Sequence, residues 1–222
     1  MNKIKQLYGV LHKSFGSQNW WPTTTKNRET EIVIGAILTQ NTSWKNVEKA
    51  ILNLKQNGLV DLRKLAAVET SKLARIIRPS GYYNQKARKL KAFGKHVVDN
   101  YMGDLRKLFA KDTGDLRSEL LSIHGIGPET ADSILLYAAG KPAFVVDAYT
   151  KRIFTRTGII REDSSYDELQ NLFKTNLPEN TGMFSQYHAL IVQLGKDVCR
   201  KKPLCNNCPL NDGCRHYKNM FL

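Results

Sequence analysis

The sequence predicts an all-α fold, and three observations carry that reading. No segment shows a sustained period-two alternation of apolar and polar residues, and apolar residues instead recur at three- and four-residue spacing along most of the chain. The third observation is a tight turn, Gly125-Ile126-Gly127, set between two apolar-patterned segments with Pro128 opening the second. Proline is pre-organised for a first helical turn, and glycines let backbone amides approach a phosphate closely, so this is a helix-hairpin-helix. With 222 residues and 41% hydrophobic content, the chain can bury one sizeable core or two small ones.

Ile4, Leu7, Tyr8, Leu11 and Phe15 share one face of an N-terminal helix over residues 2 to 15. Asn19-Trp-Trp-Pro22 then makes an elbow, because proline pushes its predecessor out of the helical region. Residues 28 to 40 read as a buried helix ending in Thr39-Gln-Asn-Thr42, and Thr42 or Ser43 caps the next, which carries Trp44, Val47, Ala50, Ile51 and Leu54. Two short leucine-striped helices follow between Leu59 and Ile77. Arg78-Pro-Ser-Gly81 breaks the pattern, and a helix bearing Lys86, Arg88, Lys89, Lys91 and Lys95 reads as a solvated basic face.

Short helices over 104 to 123 lead into the hairpin. In its second helix Ala131, Ile134, Leu135 and Ala138 mark one buried face. Asp147 stands at the start of the helix over 147 to 157, Asp163-Ser-Ser165 caps one from Tyr166 to Thr175, and Gly182 to Val198 is another.

Thirty-four Lys and Arg against 20 Asp and Glu leave a net charge of +14, which favours a polyanion, since each phosphate neutralised releases condensed counterions. No apolar run approaches a membrane span and the start lacks a signal-peptide core, so an intracellular protein is expected, cytoplasmic or nucleoid-associated and without a membrane partner. All four cysteines fall in Cys199-x5-Cys205-x2-Cys208-x5-Cys214, and in a reducing compartment such a loop ligates zinc or a 4Fe-4S cluster rather than forming disulfides.

On the hairpin Ile126-Gly-Pro-Glu-Thr-Ala-Asp132, on Val146-Asp147 with Arg152 five residues on, and on the four cysteines, the chain resembles the helix-hairpin-helix DNA glycosylases of the endonuclease III superfamily over nearly all its length. The resemblance implies two domains: residues 28–141 with the hairpin at about 118–140, and residues 1–27 with 142–222 carrying the cysteine loop 199–214, with DNA and a flipped base in the cleft between them. It also implies a monomer acting on double-stranded DNA that holds a damaged base.

By position, Asp147 matches the catalytic aspartate, Gln40 the residue that enters the vacated stack, Tyr82 the wedge in the opposite strand, and Gly125 and Gly127 the phosphate-holding turn. The spacing of cysteines in the family is six, two and five, against five, two and five here, and a 4Fe-4S cluster is expected ahead of zinc. Strand-cleaving members carry a lysine two residues after the second hairpin glycine. Glu129 stands there instead, and a carboxylate cannot form a Schiff base, which points to a monofunctional glycosylase.

Asn19-Trp-Trp-Pro22 with Gln40-Asn-Thr-Ser-Trp44 is most similar to the 3-methyladenine DNA glycosylase III branch, in which two aromatic faces hold the base. Trp44 and one of Trp20 or Trp21 match those walls, and Glu129 is either an acidic residue of the first helical turn, favoured by the dipole, or a base-pocket residue that touches the base. A cationic alkylated purine would stack on tryptophan by cation–π attraction. The alternatives are a thymine or uracil mismatch glycosylase, an oxidised-pyrimidine glycosylase and lyase of the endonuclease III type, and, outside enzymes, a DNA-binding module.

Overall fold

The computed structural model describes residues 2–18 and 20–220; Asn19, the first residue of the tryptophan elbow, lies outside them. Among the described residues there are helices and turns and no strand. The chain divides into two compact units, Met1–Trp20 with Pro142–Leu222, and Trp21–Lys141. The division separates the two adjacent tryptophans.

The second unit holds α2 (Arg28–Leu38), α3 (Trp44–Gln56), α4 (Leu62–Ala67), α5 (Thr70–Ile76), α6 (Tyr83–Tyr101), α7 (Leu105–Phe109), α8 (Thr113–Ser122) and α9 (Pro128–Ser133). Helix α2 is buried from Glu31 to Leu38, as its unbroken apolar run requires. Gly35 on α2 admits the Trp21 ring, because a β-carbon there would lie 3.0 Å from it. Ser43 precedes α3 as the expected cap, yet its side chain makes no capping bond.

Helices α8 and α9 form the hairpin. Gly125 has φ +83, a left-handed conformation open to glycine, and a β-carbon on it would collide with the Lys89 chain at 2.3 Å. Gly127 is extended, with open space where a side chain would stand. The first glycine therefore makes the turn, and the second leaves room for something to approach. Arg117 of α8 grips Asp132 of α9 through two bonds, 2.8 and 3.1 Å, which locks the helices together.

The second hairpin helix differs from the expected single buried face. Every residue from Thr130 to Tyr137 is buried, and after Ser133 the helix widens into a π-helical turn, Ile134–Ala138. Packing on all sides replaces amphipathic packing there.

The first unit joins α1 (Lys3–Phe15) to α10 (Ala148–Thr157), α11 (Tyr166–Asn176), α12 (Thr181–Asp197) and α13 (Arg215–Lys218). Its core is aromatic: Phe144 stacks on Phe173 at 3.7 Å, and Phe154, Phe184 and Tyr187 pack around them. Each such ring contributes about 1.5–3 kcal/mol by leaving water. Ser165 and Glu168 close a full capping box on α11, as the Asp163-Ser-Ser165 signal predicts.

The basic run on α6 is not a solvated face. Lys86 is 2% exposed, Lys89 and Lys91 are half-buried, and Arg88 and Lys95 alone among the five are exposed. Lys91 donates to the carbonyls of Ala66 and Val68, closing the end of α4. Buried carbonyls without partners are costly, and a lysine stem can cross apolar surface to reach them.

Candidate active site and cysteine loop

Asp147 is the N-cap of α10. Its Oδ1 accepts from the Thr150 N–H at 2.7 Å and from the Thr150 hydroxyl at 2.8 Å, so one carboxylate oxygen is committed to the helix. Its Oδ2 faces His188 Nε2 of α12 at 3.5 Å, loosely enough to keep acceptor capacity for another group. The two side chains are 13% and 6% exposed. Burial pushes the Asp147 carboxyl up, but His188 and the Thr150 donors outweigh it and hold the group below the usual aspartate value. The site thus holds a carboxylate with one oxygen only loosely engaged.

His188 is a neighbour of Asp147 that the sequence pattern does not single out. It does pack in the core, but against the candidate catalytic group. Spacing along α12 gives no sign of this contact, which spans 41 positions of sequence.

In the second unit Trp21, Trp44 and Tyr137 form an aromatic cluster. The rings of Trp21 and Trp44 meet edge to face, 90° apart with centroids at 5.0 Å, and Tyr137 lies 5.2 Å from Trp21 at 48°. Trp21 and Trp44 therefore build one wall together and are not two parallel plates. Trp21 is 7% exposed and Trp44 half-buried, so Trp44 offers the accessible ring. Trp20 belongs to the first unit and is half-buried. Tyr137 comes from the π-helical turn, and a helical pattern with a single face gives it no special place.

Gln40 follows α2 and is stitched to the hairpin. Its amide nitrogen donates to the Gly125 carbonyl at 3.2 Å and to Thr130 Oγ1 at 2.9 Å, while Lys89 donates to its oxygen at 2.5 Å. The next residue, Asn41, has φ 54. Tyr82 has φ 43 and is 66% exposed, an outlier for an aromatic residue that a surrounding structure must hold in place. Glu129 is exposed in the first turn of α9, where the helix dipole favours a negative charge.

The four cysteine thiols line one cavity with Arg156, Pro203, His216 and Tyr217. Burial, then the neighbouring thiols, pushes Cys205 up, and burial pushes Cys208 up to about 11. Ionising the set together requires a multivalent cation among them. The Arg156 guanidinium donates to Cys199 Sγ at 3.4 Å, and Cys214 Sγ donates to the Arg156 carbonyl. Among the described residues no three His, Cys, Asp or Glu side chains converge closely enough to hold a single ion. His216 is half-buried on the cavity wall. Lys196, Arg200, Lys201, Lys202, Arg215 and Lys218 are exposed around the loop.

No helix of the described residues is long and apolar enough to cross a membrane. Residues 34–179 match the HhH-GPD superfamily base excision DNA repair protein family. A protein assigned as a DNA repair glycosylase in Methanocaldococcus jannaschii is 52% identical over 213 residues, 95% of each chain. The structure of an endonuclease III trapped as a covalent intermediate on DNA superposes with a TM-score of 0.85 at 25% identity, covering 99% of this chain and 98% of that one. The 3-methyladenine DNA glycosylase of H. pylori bound to 1,N6-ethenoadenine gives 0.72 at 31% identity, covering 88% and 98%. Fold, hairpin and sequence relationship agree: the chain belongs to the HhH-GPD superfamily of base excision DNA repair proteins, and it is a DNA glycosylase.

Proposed function

We propose that this glycosylase is monofunctional and releases alkylated purines of the 3-methyladenine type from duplex DNA. The observation that carries the substrate reading is the cluster of Trp21, Trp44 and Tyr137, an aromatic wall suited to a cationic purine. The likeness to the H. pylori enzyme, which binds an ethenoadenine, supports it. Glu129 supports the monofunctional reading, since the position used by a Schiff-base lysine holds a carboxylate.

A base inside the duplex must first be flipped out, at a cost of about a few kcal/mol. In this reading Gly125 and Gly127 hold the phosphate backbone, Gln40 and Tyr82 enter the two strands, and Trp44 with Trp20 or Trp21 contacts the base. Asp147 Oδ2 then stabilises the oxocarbenium-like sugar and orients water. The C1′–N bond breaks with its electron pair passing to the base, the water oxygen bonds to C1′, and the carboxylate takes the water proton. An alkylated purine leaves as a neutral base, so the step needs no general acid. That chemistry suits a site built on a single ionised carboxylate.

Cys199, Cys205, Cys208 and Cys214 would hold a 4Fe-4S cluster, which when bound supplies four positively charged irons, one for each thiolate. These residues would then fix the loop so that its exposed lysines and arginines meet phosphate. Iron and acid-labile sulfide in equal amounts with a broad visible absorbance are expected; zinc in their place would contradict the assignment.

A panel of duplexes carrying 3-methyladenine, hypoxanthine, uracil or thymine opposite guanine, or oxidised pyrimidines tests the substrate. Release of the methylated purine ahead of the rest is expected. Excision of mismatched thymine with methylpurines ignored would overturn the reading.

A further inference from the structure

Lys86 is the most deeply buried cation of the second unit, and the chemistry above leaves it without a task. Its ammonium donates to the Leu38 carbonyl at 2.8 Å and to the Ser80 carbonyl at 2.7 Å. Leu38 is the last residue of α2, and Ser80 ends the short turn Arg78–Ser80 ahead of α6. Both are carbonyls at the end of a helical segment, where the backbone lacks its own partner and negative partial charge accumulates. A single cation closes both ends.

The two carbonyls have parallel places in the chain. Leu38 lies two residues before Gln40, and Ser80 lies two residues before Tyr82. Lys86 also holds the second segment by its backbone, since its N–H donates to the Tyr82 carbonyl at 3.0 Å. One turn further along α6, Lys89 grips the Gln40 side chain at 2.5 Å. Asn41 and Tyr82 both have left-handed backbone, which for the aromatic Tyr82 requires support from the surrounding structure.

We propose that Lys86 is a positioning residue for DNA engagement, bracketing the Gln40 and Tyr82 loops into one rigid pair of probes. The inference rests on the reading that these two residues enter the duplex. A flexible four-carbon stem with a three-donor head suits the task, because it spans two segments far apart in sequence and satisfies both. An aliphatic side chain of equal length would fill the space without the tie.

A double-mutant cycle on duplex binding tests the bracket, with a tetrahydrofuran abasic-site duplex as the probe. Each of Q40A and Y82A should weaken binding about tenfold. The double variant should lose less than the product, a coupling of about threefold or more, because residues that act as a unit are non-additive. In K86M, with folding checked by its melting transition, the coupling should fall to none. K86Q, whose amide reaches one carbonyl at most, serves the same cycle if K86M melts below the assay temperature. Single variants without effect would refute the insertion reading itself. Single variants with effect but additive in the native chain, or coupling retained in a folded Lys86 variant, would overturn the bracket.

Discussion

Asp147 and Lys86 are charged groups taken out of water, one in each unit, and they are held in opposite ways. Asp147 faces His188 Nε2 and accepts two bonds from Thr150, which together hold its carboxyl below the ordinary value despite burial. Lys86 has two neutral carbonyls and a like-charged neighbour in Lys89, and burial first, then Lys89, lowers it to about 8. A perturbed, buried charge is thus no mark of catalysis by itself. What separates the two is access: Asp147 retains a loosely engaged oxygen on a side chain that is 13% exposed, whereas the lysine, 2% exposed, is turned to two carbonyls of the fold.

Replacing Asp147 with Asn breaks the comparison most sharply. Asn caps a helix as well as Asp, so α10 should survive, while base release should fall by about 10²–10⁴-fold in single-turnover assays. Unchanged release would refute the assignment.

H188L is expected to act next most strongly, through Asp147. The groups facing that carboxyl are His188 from α12 and Thr150 from its own helix; the Tyr166 hydroxyl of α11 is engaged by the Val146 N–H, and Arg152 turns to the Gly195 and Cys199 carbonyls. Without His188 burial weighs more heavily and the carboxyl titrates higher. The acid limb of the rate–pH profile should move to higher pH. An unmoved limb would make His188 a packing residue only.

Lys86 acts on stability, and the pH window in which it does so separates the lysine from the aspartate. Loss of the ammonium leaves two carbonyls unpaired at about 1–3 kcal/mol each, while relief from burying the cation offsets a similar amount, so K86M should be close to native near pH 7. The folded value near 8 lies below the ordinary 10.5, so between them the unfolded chain binds the extra proton and native stability rises with pH. Over that window the native chain should gain up to about 3 kcal/mol relative to K86M in denaturant titrations. A difference independent of pH would mean that the lysine is not held as described. For Asp147 the stabilisation is present at neutral pH and lost in acid, as the carboxyl protonates below its ordinary value.

Much of this was legible from residue order. The hairpin, the capping box at Ser165, the cap position of Asp147 and the clustered cysteines are local patterns, in which neighbours along the chain are neighbours in space. What escaped was set by packing between segments. Lys86 sits in a charge run that reads as solvated, and its burial depends on two carbonyl ends 6 and 48 positions away. His188 lies on an apolar helix where histidine reads as filler. Tyr137 lies on a turn whose π geometry shifts it out of the α-helical register, and the crossed rings of Trp21 and Trp44 depend on Gly35 making room for one of them.

The central claim is that Asp147 directs water to the sugar and that no lysine forms a covalent intermediate. It is tested most directly by one gel, in which a duplex bearing 3-methyladenine is incubated with the protein in two portions. One, without borohydride, is then divided with and without alkali, and the other contains borohydride to trap any Schiff base. Strand breaks that appear with alkali alone, and no protein trapped on DNA, are the predicted result. Breaks without alkali, accompanied by a borohydride-trapped adduct, would contradict it.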